Sequence, residues 1–308
     1  AIATFGLGVV WGNPLATGAD ASGYVSQAEL WTSGTLTRPT PPWARDAPWG
    51  DAAFTAAPVG YRSGREPDTI VPFYSAGFPL VMALFRLLGG RGAMFLAVPL
   101  LGALTVWLTY LLGRSLGGSW CGAIAGLLLL ASPAFLITLM TAMSDVPVTA
   151  WWTLAAYATL SATTGGAIVS GLAAALAILT RPNTAPLAAV VTLLVLVEAR
   201  QRISRGTWLV ALVTIGVGLT AILNWQWYGS PLRSAYGTFQ DIYALDRVWP
   251  NAANYLRWLW DTETPLIALA LGTPWIVWRA APRRVIVILL TVVFPLMVVA
   301  IYLPYLVW

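Results

Sequence analysis

The chain has 308 residues, of which 58% are hydrophobic and only 9% charged, with a mean hydropathy of +0.73. A soluble chain carries roughly 25% charged residues, so this composition excludes a soluble globular protein and points to one integral membrane domain whose spans pack on each other. The net charge of +5 comes from 17 Arg against 12 acids, with no Lys, no His and a single cysteine, Cys121. These absences exclude a histidine base, a Schiff-base lysine, a Walker-type phosphate loop, an internal disulfide and a CxxC metal pair.

Residues 1–12 are apolar but shorter than the roughly 20 residues a crossing helix needs. No basic n-region or small-residue cleavage site marks them as a signal peptide. They read as the tail of a first span, with the chain open at both ends. Further apolar runs follow at 93–112, 120–138, 146–160, 167–179, 185–197, 208–225, 265–278 and 285–305. Residues 21–33 and 75–88 are apolar on part of their circumference and read as surface helices at the membrane edge. The expected fold is an all-α polytopic membrane protein of about nine transmembrane helices, the first one partial. Residues 1–308 would form a single domain.

Arginine placement orients these spans. Arg114, then Arg200, Arg202 and Arg205, then Arg279, Arg283 and Arg284 fall in short connections whose one acid is Glu198. The positive-inside rule puts those connections in the cytoplasm, and they account for the pI near 9.6, so no nucleic acid is expected as a partner. The alternate connections then face outward: 13–72, the stretch around Asp145, Arg181-Pro-Asn183, and 228–262. The first outer loop holds half of the acids together with Arg38, Arg45, Arg62 and Arg65. Its Pro39-Thr-Pro-Pro42 stretch and its tryptophans suggest an ordered cap, and loops this long without function are uncommon.

Acids are scarce enough that each position carries information. Asp20 follows the first apolar segment and has two readings. It is a general base at the outer face, accepting a proton from an attacking hydroxyl, or an N-cap for the helix starting near Ala21. Asp145, in Met143-Ser-Asp-Val-Pro147, is an acid at membrane depth, and equally a good helix start with Pro in the first turn. Arg181, in Leu179-Thr-Arg-Pro-Asn183, breaks the inside bias. It suits an anionic group such as a lipid phosphate, or it snorkels to headgroups. Arg62, in Gly60-Tyr-Arg-Ser63, is a weaker candidate of the same kind. Most of the 17 Trp fit interfacial belts, while Trp31, Trp43 and Trp49 in the first loop are the candidates for covering a sugar face.

Five stretches, taken in order, carry a family resemblance. They are Gly18-Ala-Asp-Ala-Ser-Gly-Tyr-Val-Ser-Gln-Ala-Glu-Leu-Trp31, Tyr74-Ser-Ala-Gly-Phe-Pro-Leu80, Met143-Ser-Asp-Val-Pro147, Thr180-Arg-Pro-Asn183 and Tyr228-Gly-Ser-Pro-Leu232. Together they resemble the GT-C superfamily of membrane glycosyltransferases, in particular its family 39-like and RgtA/B/C/D-like members. These are relatives of the protein O-mannosyltransferases and lipid A aminoarabinose transferases. The resemblance implies transfer of a sugar from a polyprenyl-phosphate carrier to an acceptor of unspecified class, outside the cytoplasmic (inner) membrane and with inversion. It places the general base on Asp20 and lipid-phosphate binding on Arg181 and Arg62. Substrate binding falls on Asp145, Tyr24, Tyr61, Asn183 and Tyr74. No cofactor or metal ligand set is implied, and a divalent metal stays open. Many relatives carry Asp-Glu at the first motif; here Ala21 follows Asp20, and the next acid is Glu29. The alternative is a transporter or flippase of a lipid-linked or small polar substrate, but the pseudo-symmetric halves many transporters show are not visible.

Overall fold

The computed structural model describes all residues except Asp46, Ala47, Trp49, 198–201, 265–267, Leu269, 281–282 and 307–308. Trp49, Glu198 and Arg200 therefore lie outside the described residues, as does the start of the expected span at 265–278.

Helix α1 (Ile2–Val10) packs on the start of a later long helix, with Gly8 against Pro99. Helix α2 (Gly18–Thr32) follows after a short extended stretch. The chain then builds a small cap from β1 (Arg38–Pro39), α3 (Pro42–Arg45), α4 (Ala52–Ala56), β2 (Tyr61–Ser63) and β3 (Thr69–Pro72). The strands form an antiparallel sheet in the order β1-β3-β2, with Arg38 opposite Ile70 and Arg62 opposite Val71. Asp51 starts α4 by accepting from the Phe54 amide at 2.9 Å, and its other oxygen accepts from Ser63 at 2.8 Å, which ties α4 to β2. Leu30, Ala53, Tyr61 and Ile70 close a local core beneath α2. The expected ordered cap is therefore present, and it is part sheet.

The membrane bundle begins with α5 (Gly77–Ala93) and α6 (Ala97–Ala131). Gly118 sits at φ +86°, where only glycine is unstrained, and folds α6 into two antiparallel legs. Gly113 and Gly122 let the legs meet backbone to backbone. The second leg continues as α7 (Pro133–Leu139) after Ser132 caps it. Helices α8 (Asp145–Thr159) and α9 (Thr164–Thr180) form a tight hairpin in which Ser170 donates to the Ala155 carbonyl at 2.8 Å. Next come α10 (Leu187–Val197) and α11 (Arg202–Tyr228); Gly171 and Gly216 give α9 and α11 close contact. A short α12 (Phe239–Ile242) and the longer α13 (Val248–Glu263) run beside the bundle. Helix α14 (Thr273–Ala280), α15 (Arg284–Ile288), a π turn over Leu289–Val293 and α16 (Phe294–Tyr302) complete the chain.

Among the described residues, three helical segments are long and apolar enough to cross a membrane: Gly77–Ala131, Ile203–Tyr228 and Arg284–Tyr302. Two shorter apolar helices, Thr164–Thr180 and Pro182–Val197, lie among them. The expectation of nine spans is thus met only in part. Alanine- and glycine-rich runs such as α8 and α9 are apolar but only 15 and 17 residues long, at or below the lower end of the length a crossing needs. Arg205, expected in a loop, instead lies within α11, is fully buried, and donates to the Thr159 carbonyl at 3.2 Å. There it covers the C-terminal end of α8, where a cation opposes the helix dipole.

Candidate active site

The helix containing Asp20 starts at Gly18, with Thr17 as N-cap. Asp20 therefore falls inside the first turn, and its carboxylate turns away from the backbone. The cap reading is corrected: Oδ1 accepts a hydrogen bond from the Tyr74 hydroxyl at 2.5 Å. Among the described residues Oδ2 has no hydrogen-bond partner. Tyr74 reaches this position because Gly23, one turn along α2, has no side chain. A Cβ there would collide with the Tyr74 ring and crowd Gly60 of the cap. Burial, then the hydrogen bond to Asp20, push the Tyr74 phenol well above its ordinary value, so it stays a donor at any physiological pH.

Tyr24, four residues after Asp20, lies on the same face of α2. Its ring meets the Tyr74 ring at 4.7 Å and Phe78 at 5.2 Å. Its hydroxyl donates to Ser144 Oγ at 2.9 Å. Ser144 is fully buried and accepts a second bond, from Arg181 Nε at 3.0 Å. Arg181, just past the end of α9, also donates to Asp145 Oδ1 at 2.9 Å and to the Tyr302 hydroxyl at 3.4 Å. It is held by protein groups rather than reaching for lipid headgroups. Asp145 is the first residue of α8, as expected for a helix start, but its carboxylate serves the ion pair and makes no side-chain cap.

A continuous line of contacts therefore runs from Asp20 through Tyr74, Tyr24 and Ser144 to Arg181, Asp145 and Tyr302. It joins α2, the approach to α5, the start of α8 and the ends of α9 and α16. The Tyr24 phenol feels the charges of Arg181, Asp20 and Asp145 together. Tyr236 stands close by: its phenol feels both Asp20 and Arg181, and its ring packs edge-on against Phe73 at 4.8 Å. Tyr74, Ser75, Asn224, Tyr228 and Tyr236 line a cleft beside this line.

The remaining sequence candidates lie elsewhere. Arg62 donates to the Ala235 carbonyl and sits 6.0 Å from the Tyr228 ring, tying β2 to the segment after α11. Tyr61 is buried in the cap with Arg38 stacked over it at 4.7 Å. Asn183 lies in the short turn between α9 and α10, next to Arg181. Trp31 packs on Trp227, and Trp43 is exposed. Glu29 faces away from Asp20 and pairs with Arg86 at 3.2 Å and Arg91 at 3.1 Å, so it shares no site with Asp20. Ala21 is packed in the core.

Ser144, Tyr302 and Tyr236 were not singled out in the sequence. Ser144 had one signal, its place beside Asp145 in a quoted motif. Tyr302 and Tyr236 had none, because only the packing of α16 and of the segment after α11 brings them near Arg181.

An apolar helical protein in which one line of contacts joins an acid to an arginine fits the class of integral membrane enzymes. The family model for dolichyl-phosphate-mannose-protein mannosyltransferases matches residues 72–227, just over half of the chain. The chain belongs to that family and is a membrane glycosyltransferase of the GT-C type. Neither the curated proteins nor the solved structures give a significant match.

Proposed function

We propose that the chain transfers a sugar from a polyprenyl-phosphate carrier to an acceptor hydroxyl on the extracytoplasmic face of the cytoplasmic membrane, with inversion at the anomeric carbon. In this reading segments 13–72 and 228–262 form that face. The observation that carries the reading is the single line of contacts linking Asp20 to Arg181.

The chemistry follows from the two ends of the line. At one end, Tyr74 occupies Asp20 Oδ1 and leaves Oδ2 to accept the proton of the attacking hydroxyl. The acceptor oxygen bonds to the anomeric carbon as the bond from that carbon to the phosphate oxygen breaks. The electron pair of that bond leaves with the lipid phosphate, which needs positive charge rather than a proton. At the other end, Arg181 supplies that charge. Asp145 orients the guanidinium through Oδ1 and keeps Oδ2 for a sugar hydroxyl. The family's named donor supports a lipid-linked mannose as the first substrate to try.

The test uses the purified full chain in liposomes with a radiolabelled polyprenyl-phosphate mannose and a membrane-extract acceptor pool. Asp20→Asn is expected to lower transfer on the order of 10²–10⁴-fold, the range lost with a positioned base. Its melting temperature should stay near wild type. Near-normal transfer in that variant would remove Asp20 as the base.

A further inference from the structure

Helix α13 has three chemically distinct sides. At 3.6 residues per turn, Asn251 and Tyr255 fall on one side and Trp249, Leu256 and Trp260 on the opposite one. The first side is anchored to the end of the last membrane segment. Asn251 is buried and donates to the carbonyls of Leu303 at 2.9 Å and Tyr305 at 2.6 Å, while Tyr255 donates to the Tyr302 carbonyl at 3.0 Å. The opposite side is bare: Trp249 is 83% exposed, Leu256 70% and Trp260 55%. A third flank is polar, with Asn254 and an Arg257–Asp261 pair at 3.6 Å.

The far end of α13 is tied down as well. Ser132, at the joint between the second leg of α6 and α7, donates to Glu263 at 2.6 Å. The helix thus bridges two membrane segments, and its direction is set by them rather than by its own exposed face. Its bare aromatic side points away from the anchored one and, among the described residues, has no protein element to cover it in these contacts.

We propose that α13 is an interfacial strap lying in the phospholipid headgroup layer on the Arg181 side of the membrane. Trp249, Leu256 and Trp260 enter the acyl boundary, and Asn254 and Arg257 face water. Tryptophan suits that depth, since its ring is apolar and its N–H is not. Through Tyr255 the strap touches Tyr302, whose hydroxyl meets Arg181, so it fixes the depth of the Arg181 end of the site.

The test is depth measurement on the full chain in phosphatidylcholine vesicles. In a Cys121→Ser background, Trp249→Cys, Leu256→Cys, Asn254→Cys and Arg257→Cys each receive a nitroxide label. Collision rates with oxygen and with a water-soluble nickel chelate are then compared. The oxygen-to-nickel ratio should be at least about three times higher at 249 and 256 than at 254 and 257, as for a helix sunk a few ångströms into the interface. Equal or inverted ratios would overturn the proposal. A second measurement needs no label: Trp249→Phe with Trp260→Phe should reduce the share of tryptophan fluorescence quenched by brominated lipids. An unchanged share counts against it.

Discussion

Arg181 is held through all three of its nitrogens, by Ser144, Asp145 and Tyr302. A lysine can keep the charge but not this fork. Arg181→Lys is therefore expected to cut turnover on the order of 10²-fold, comparable to losing a transition-state donor. Steady-state transfer assays with the full chain in liposomes would show it, and a turnover within a factor of two of wild type would reject the role. Tyr24 offers a pH test on the same line. Burial pushes its phenol up to about 12, only partly countered by its bond to Ser144. The folded chain then holds a proton that the unfolded chain releases near pH 10. Stability from this group is complete below pH 10 and is lost as pH climbs toward 12. Melting curves in detergent should fall over that window, and Tyr24→Phe should flatten the fall while costing about 1 kcal/mol at neutral pH for the lost hydrogen bond. At this scale the sequence exposed Asp20, Asp145 and Arg181, because charges in so apolar a chain are rare. It left Ser144 and Tyr302 unseen, because a hydroxyl carries no such signal until packing gives it a charged neighbour. Arg62 shows the reverse. It stands out in the sequence as a weaker candidate of the same kind as Arg181, yet its guanidinium serves a backbone carbonyl of a neighbouring segment.

Among the elements, α2 has to present Asp20 and Tyr24 to one side while lying flat against the cap and the approach to α5. Gly23 makes that possible. An added methyl must push out either the Tyr74 ring or Gly60, and neither is the free end of a flexible chain. Gly23→Ala is expected to destabilise by about 1–3 kcal/mol, the usual cost of overpacking, and to separate Tyr74 from Asp20. Transfer should fall with the melting temperature, whereas Tyr74→Phe should reduce transfer and leave stability closer to wild type. If Gly23→Ala left both quantities unchanged, the close approach would have no role. The helix itself was legible, since its period puts Asp20 and Tyr24 together and Glu29 on the far side. Its start was not. Gly18 at φ +81° lets the helix begin two residues before Asp20, which turns a supposed cap into a first-turn carboxylate.

Across the whole molecule, apolar composition announced the membrane, but the number of crossings did not follow from it. Helices α8 and α9 are apolar runs of 15 and 17 residues, at or below the lower end of the length a crossing needs, while the expected runs 93–112 and 120–138 are the two legs of the hairpin made at Gly118. That hairpin supplies a molecular ruler. On its first leg Gly102 lies against Val146, at the beginning of α8 and level with the site. Some 16 residues later the leg reaches the turn, a rise of about 24 Å, most of the roughly 30 Å of a bilayer core. Cys121 lies just past that turn, exposed, and is the chain's only cysteine. Leu232, in the segment after α11, is 85% exposed, near the Tyr236 that flanks the site. If the site faces outward, the two positions lie on opposite sides of the membrane. In sealed right-side-out vesicles a membrane-impermeant maleimide should leave Cys121 unmodified until the vesicles are permeabilised. In a Cys121→Ser background, Leu232→Cys should react at once. Immediate labelling of Cys121 with protection of Leu232→Cys would reverse the orientation and put the Asp20–Arg181 line on the cytoplasmic side. Labelling of both without permeabilisation would mean that Gly118 does not carry the chain across the membrane.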